Sequence, residues 1–199
     1  MKTTLKLAAI SAAALSLTAC QTAVGADADV NTAGMSAGTS VMVGGAAMYP
    51  NRTIVQNASA ASNLTTLVAA VKAAGLVDTL SGPGPFTVFA PTNAAFDKVP
   101  AATRTALMQP ANRDMLRGVL TYHVVPGTLT SADLMQRIRA GNGTATPTTV
   151  QGQTLRLSMM GNQIMINGQA GSSAHVTQGD VRQSNGIVHV IDGVLTPSM

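Results

Sequence analysis

The hydrophobic period of this chain changes once, near Gly141, and that change limits the folds open to it. Before it, apolar side chains recur at helical spacing. Leu64, Leu67, Val68 and Val71 form one such face, with Ser62-Asn63 as a capping signal ahead of it and Gly75 behind. The same spacing runs through residues 101–108, 112–121 and 131–139, the last with Ser131 or Asp133 at its start. Within this helical half, Ser81-Gly82-Pro83-Gly84-Pro85 must be a loop. Phe86-Thr87-Val88-Phe89-Ala90 then reads as a strand stopped by Pro91, and Thr92-Asn93 caps a short helix through Phe96. After Gly141 the alternation has period two, over residues 154–157, 163–166, 175–178 and 187–191, punctuated by Gly161-Asn162, Asn167-Gly168 and Asn185-Gly186. Helices first and hairpin strands later predict an α+β fold and exclude a parallel doubly wound sheet.

A chain of 199 residues, 46% hydrophobic and 10% charged, is too apolar for disorder and has room for one domain around one core. The net charge is +4, and the loss of Lys2 and Lys6 with a leader segment would leave +2. Arg104, Arg113, Arg117, Arg137, Arg139, Arg156 and Arg182 are scattered singly and not interleaved with aromatics, so nucleic acid is not an expected partner.

The N-terminus has the three parts of an export signal: Lys2 and Lys6, an apolar run from Leu7 to Leu17, and small residues before Cys20. The 13 residues between Lys6 and Cys20 are fewer than the ~20 a membrane-spanning helix needs. Leu17-Thr18-Ala19-Cys20 resembles the lipobox of bacterial lipoproteins. That resemblance implies a signal peptide over residues 1–19, a diacylglycerol on the Cys20 thiol and a membrane anchor of more than one acyl chain, as durable anchoring requires. Gln21 in place of Asp resembles the Gram-negative sorting pattern for the outer membrane. Export would place the domain in an oxidising compartment, yet Cys20 is the sole cysteine and no disulfide can form within the chain. Residues 20–50, rich in Ala, Gly, Ser and Thr, read as the lipidated Cys and a flexible tether ahead of a domain at 51–199. Met35, Met42 and Met48 lie in this stretch without the His or close spacing of a copper site.

Catalytic and metal patterns are not met. His123, His175 and His189 are far apart and have no Cys partners, so no metal or other cofactor is expected. There is no Gly-x-Ser-x-Gly, no phosphate loop and no Glu, and the six Asp beyond the tether form no carboxylate pair. An enzyme is not expected. His123 and His189, flanked by apolar residues, read as packed and hydrogen-bonded imidazoles.

Three segments together carry a family resemblance: residues 86–96, Tyr122-His123-Val124-Val125-Pro126-Gly127, and Asn185-Gly186-Ile187-Val188-His189-Val190-Ile191-Asp192-Gly193-Val194-Leu195 with Pro197. In order and separation they resemble the fasciclin (FAS1) domain. The resemblance implies a single β-sandwich or wedge with helices packed along one edge, used for adhesion at cell surfaces and matrices. It also implies partner-binding roles, taken from animal members, at Tyr122, His123, Asp180 and Val181, the last a departure from the Ile of the pattern. The function so implied is a non-enzymatic envelope module, lipid-anchored and presenting a nearly neutral surface to a protein or polysaccharide. The alternative is a carrier of an apolar small molecule such as a carotenoid, bound in a Met-lined groove.

Overall fold

The structure, a computed structural model, describes residues 40–198. The signal segment, Cys20, Gln21 and Met35 lie outside the described residues. The end of the expected tether is folded: β1 (Val41–Val43) and β2 (Ala46–Met48) pair antiparallel across Gly44 and Gly45, whose φ angles of 56° and 80° suit a tight hairpin turn. Val43 and Met48 are buried in the main core, so the packed unit begins near Val41 and not at Asn51. Two three-residue strands among Ala and Gly are too short to stand out from linker composition.

Helix α1 (Ile54–Ala60) follows, with a capping box between Thr53 and Gln56. A single 3-10 turn at Ser62–Leu64 leads into α2 (Thr65–Ala74), which ends at Gly75 in the left-handed conformation, φ 68°. Ser62-Asn63 does not cap α2. The Ser62 hydroxyl donates to the Gly44 carbonyl, and the α2 amide of Thr66 donates instead to Asn93 Oδ1, 3.0 Å away. Next come α3 (Val77–Ser81), β3 (Phe86–Pro91), α4 (Asn93–Asp97) capped by Thr92, α5 (Ala101–Leu107) and α6 (Arg113–Tyr122). Strand β4 (Val124–Pro126) then leads to α7 (Ser131–Ala140), whose cap is Thr130 with Asp133 completing the box. The strand-rich half is β5 (Thr144–Ala145), β6 (Arg156–Met160), β7 (Gln163–Asn167), β8 (Ser173–Gln183) and β9 (Gly186–Ile191).

The expected sandwich or wedge is a wedge made of one seven-stranded sheet in the order β4-β3-β9-β8-β7-β6-β5. Every pairing is antiparallel except β3 with β9, which runs parallel from Phe86↔Gly186 to Pro91↔Ile191. Strand β8 is longer than its predicted interior because it belongs to both halves of the sheet. Two register shifts between Val176 and Val181 bend it, and Asp180 takes a φ of 58°. Alternation along β3 and β9 divides the core: Val88, Ala90, Val188 and Val190 pack beneath α1, α2 and α6, while Phe89 and Ile191 pack on the other face with α7. The central strand is therefore apolar on both sides, as its sequence predicts.

Candidate interaction site

Tyr122 and His123 close α6 and enter β4, and both are buried. The Tyr122 hydroxyl donates to the Thr154 carbonyl and accepts from the Gln169 N–H, each at 3.1 Å. Burial raises its pKa, opposed by the Gln169 N–H. The His123 ring bridges two elements: Nδ1 lies 2.7 Å from the Val119 carbonyl, and Nε2 accepts from the Leu195 N–H at 3.0 Å. These partners assign the proton to Nδ1 and a lone pair to Nε2. Burial lowers the imidazole pKa to about 4, against the smaller opposing pull of the Val119 carbonyl. Tyr122 and His123 therefore maintain the fold, and neither offers a side chain to a partner.

Asp180 and Val181 lie on the bend of β8 and face opposite ways. Val181 is buried opposite Val188 in the main core, while Asp180 is exposed. The Asp180 carboxylate accepts the Ser131 N–H at 2.7 Å, so it reinforces the N-terminus of α7 from another element. Its own N–H donates to His189 Nδ1 at 3.3 Å, and His189 Nε2 stands 2.8 Å from the Leu129 carbonyl. Burial holds the His189 imidazole below its ordinary pKa, opposed by the Leu129 carbonyl and the Asp180 carboxylate. The ring stacks on Phe89 at 5.6 Å. A Cβ at Gly179 would displace the Ser131 hydroxyl and crowd His189 Nδ1. Phe89 links the two motifs, since its N–H donates to the His123 carbonyl while its ring covers His189. Of the four residues singled out from sequence, Asp180 alone reaches solvent.

Asp192, after β9, accepts the His175 N–H at 2.7 Å and lies 3.4 Å from Lys98 Nζ. Its pKa is lowered: desolvation pushes it up, and the His175 N–H together with the Lys98 and His175 charges outweighs that effect. No cluster of three or more His, Cys or acidic residues able to hold a metal occurs among the described residues. Two apolar cavities of about 30 and 40 Å³ flank His123, one under α1 and α2 and one between α5 and α6.

Sequence reasoning missed Asn185 as more than a turn residue. Its buried side chain accepts the Ile54 N–H and donates to the Leu80 and Gly82 carbonyls, joining α1, α3 and the β8–β9 turn. Asn57, buried in α1, similarly ties itself to Tyr49 and Gln183. An Asn within an otherwise apolar helical repeat is the signal that marks it.

The Fasciclin domain model matches residues 62–197. Protein sll1483 of Synechocystis is 43% identical over 160 residues, covering 80% of this chain and 82% of that protein. Immunogenic protein MPB70 of Mycobacterium bovis is 40% identical over 148 residues, covering 70% and 68%. The cell surface glycolipoprotein MPB83 of the same species is 39% identical over 148 residues, covering 70% and 60%. Among solved structures, the FAS1 domain pair of the insect cell adhesion molecule fasciclin I superposes with a TM-score of 0.65 at 19% identity, covering 78% of this chain. The chain spans 57% of that pair, and the likeness shows the fold. With its model matched from the 3-10 turn before α2 to beyond β9, this chain belongs to the fasciclin domain family.

Proposed function

We propose that this protein is a non-enzymatic contact module of the cell envelope, held to the outer membrane by a lipid on Cys20 and meeting a surface protein or polysaccharide. The observation that carries the reading is the family match over residues 62–197, shared with a relative named a cell surface glycolipoprotein and with the fold of an insect cell adhesion molecule. The lipobox at residues 17–20 supports the anchor. Asp180, exposed on a bend that three hydrogen-bonded elements hold in place, is the preferred contact from the original quartet. The carrier of an apolar molecule is the weaker reading, because the apolar cavities of about 30 and 40 Å³ fall far below the roughly 300–1,000 Å³ of ordinary ligand pockets, and a larger groove of about 570 Å³ is open and lined mostly by polar residues.

The test compares wild type with Cys20→Ala in cell fractions, in protease treatment of intact cells and in an adhesion assay. The proposal expects wild type in the membrane fraction and cleaved from outside, with Cys20→Ala released and adhesion lost. Wild type protected from protease, with adhesion unchanged, would overturn it.

A further inference from the structure

The outer face of β5, β6 and β7 carries a groove that neither the core nor the α7 contacts use. Leu157, Ile164 and Ile166 turn inward beneath α7, so alternation sends their neighbours Arg156, Ser158, Met165 and Asn167 outward. Thr144 stands opposite Ser158, which stands opposite Met165, and Arg156 stands opposite Asn167. With Thr146 at the rim, these residues line an open groove of about 570 Å³.

Three properties of this groove point to a ligand. Most of its polar side chains are unspent: Gln169 and Thr154 bond to each other at one end, but among the described residues no hydrogen bond or ion pair engages the side chain of Thr144, Thr146, Arg156 or Asn167. Ser158 Oγ is withdrawn from solvent with no hydrogen-bond partner, an arrangement that native structures rarely tolerate without a compensating group. Its cross-strand neighbour Met165 is unbranched and flexible, so it can move aside and open that hydroxyl to an incoming one. Finally, Arg156 is the sole cation of the groove, and no Asp lines it.

One planar guanidinium among neutral hydroxyls and an amide suits a ligand whose carboxylates are spaced apart by hydroxyl groups. A densely sulfated chain would need a cluster of cations. An acidic peptide rich in carboxylates would likewise need more cations than the single Arg156 that lines the groove. We propose that the groove binds a uronate-bearing polysaccharide, with Arg156 on a carboxylate, Thr144, Ser158 and Asn167 on sugar hydroxyls, and Met165 against the sugar's C–H face. This deepens the envelope-contact reading and rests on it for the presence of polysaccharide outside the cell.

Calorimetric titration of the purified full chain with oligogalacturonate, with a neutral maltooligosaccharide and a polyaspartate peptide as controls, tests the site. Saturable binding of oligogalacturonate is expected, weaker at higher salt and at least about tenfold tighter than either control. Arg156→Gln should weaken it about tenfold. Ser158→Ala should weaken it severalfold while leaving the thermal midpoint unchanged or raised, an effect that a purely structural serine would not produce. The proposal is overturned by no binding, by equal binding of a control, or by binding that neither substitution alters. Any of these, combined with adhesion that still depends on Cys20, removes the groove and leaves the contact module standing.

Discussion

Acidification tests the burial of His123. Its Nδ1–H is committed to the Val119 carbonyl and its Nε2 lone pair to the Leu195 N–H, so a second proton must break the Leu195 contact and place a charge between two apolar cavities. The folded imidazole titrates at about 4, from an ordinary value of 6.5. Between these values the unfolded chain binds a proton that the folded chain refuses, so stability falls as pH falls. The stabilisation is fully present above pH about 6.5 and is lost towards pH about 4; the gap of about 2.5 units is worth about 3 kcal/mol at about 1.4 kcal/mol per unit. His189 shifts in the same direction and steepens the slope. The lowered carboxyls of Asp133 and Asp192 act at the acid end, below their ordinary value of 3.8, so they stay outside this window. Unfolding free energies from urea titrations at about pH 7 and about pH 4.5 should therefore differ by about 2–3 kcal/mol from His123 alone, against a typical domain's stability of about 5–15 kcal/mol. His123→Asn should start about 1–3 kcal/mol lower at neutral pH, because the Leu195 N–H is orphaned, and should lose less on acidification. Equal wild-type stability at both pH values, or the same pH slope in His123→Asn, would refute the reasoning.

Asn185→Ala removes three hydrogen bonds, two of them fully buried, linking α1, α3 and the β8–β9 turn, and should cost about 3 kcal/mol in chemical denaturation. Gly186→Ala would drive a Cβ into the Phe86 carbonyl oxygen where β9 first meets β3, and a thermal scan should show a loss of about 1–3 kcal/mol. Asp180→Ala should cost only about 0.5–1 kcal/mol, because its bond to the Ser131 N–H is exposed and the Thr130–Asp133 box remains. Asp180→Asn, which keeps an acceptor, should stay near wild type in the same denaturation assay.

Long periodic elements were legible because burial imposes their period: α2, α6, α7, β3 and β9 lie within a residue or two of where the apolar residues recur. Among the short helices, α4 was legible from its Thr92 cap and α5 from its spacing, but α1 and α3 were not, since they take their stability from contacts distant in sequence. The first turn of α1 is joined to Asn185, 131 residues away, and the turn itself gives no sign of that partner. The cap of α2 failed for the same reason, with Asn93 doing from another helix what Ser62-Asn63 is placed to do locally. In the candidate site the residue types were readable and their exposure was not. Tyr122, His123 and Val181 look like contact residues in a motif, but their direction depends on where β4 and the bend of β8 fall in the sheet.

The parallel pairing of β3 with β9 also sets the order in which the molecule can be completed. Each pair from Phe86↔Gly186 onward joins residues 100 positions apart, and β9 lies between β3 and strands β5 to β8. At a synthesis rate of about 5–20 residues per second, β3 waits about 5–20 seconds with one edge unpaired. During that interval the hairpin strands can pair with one another, but nothing joins them to β3. A chain that holds β3 but not yet β9 cannot complete the sheet, whichever hairpins have formed, and the two halves join only when residues 186–191 arrive.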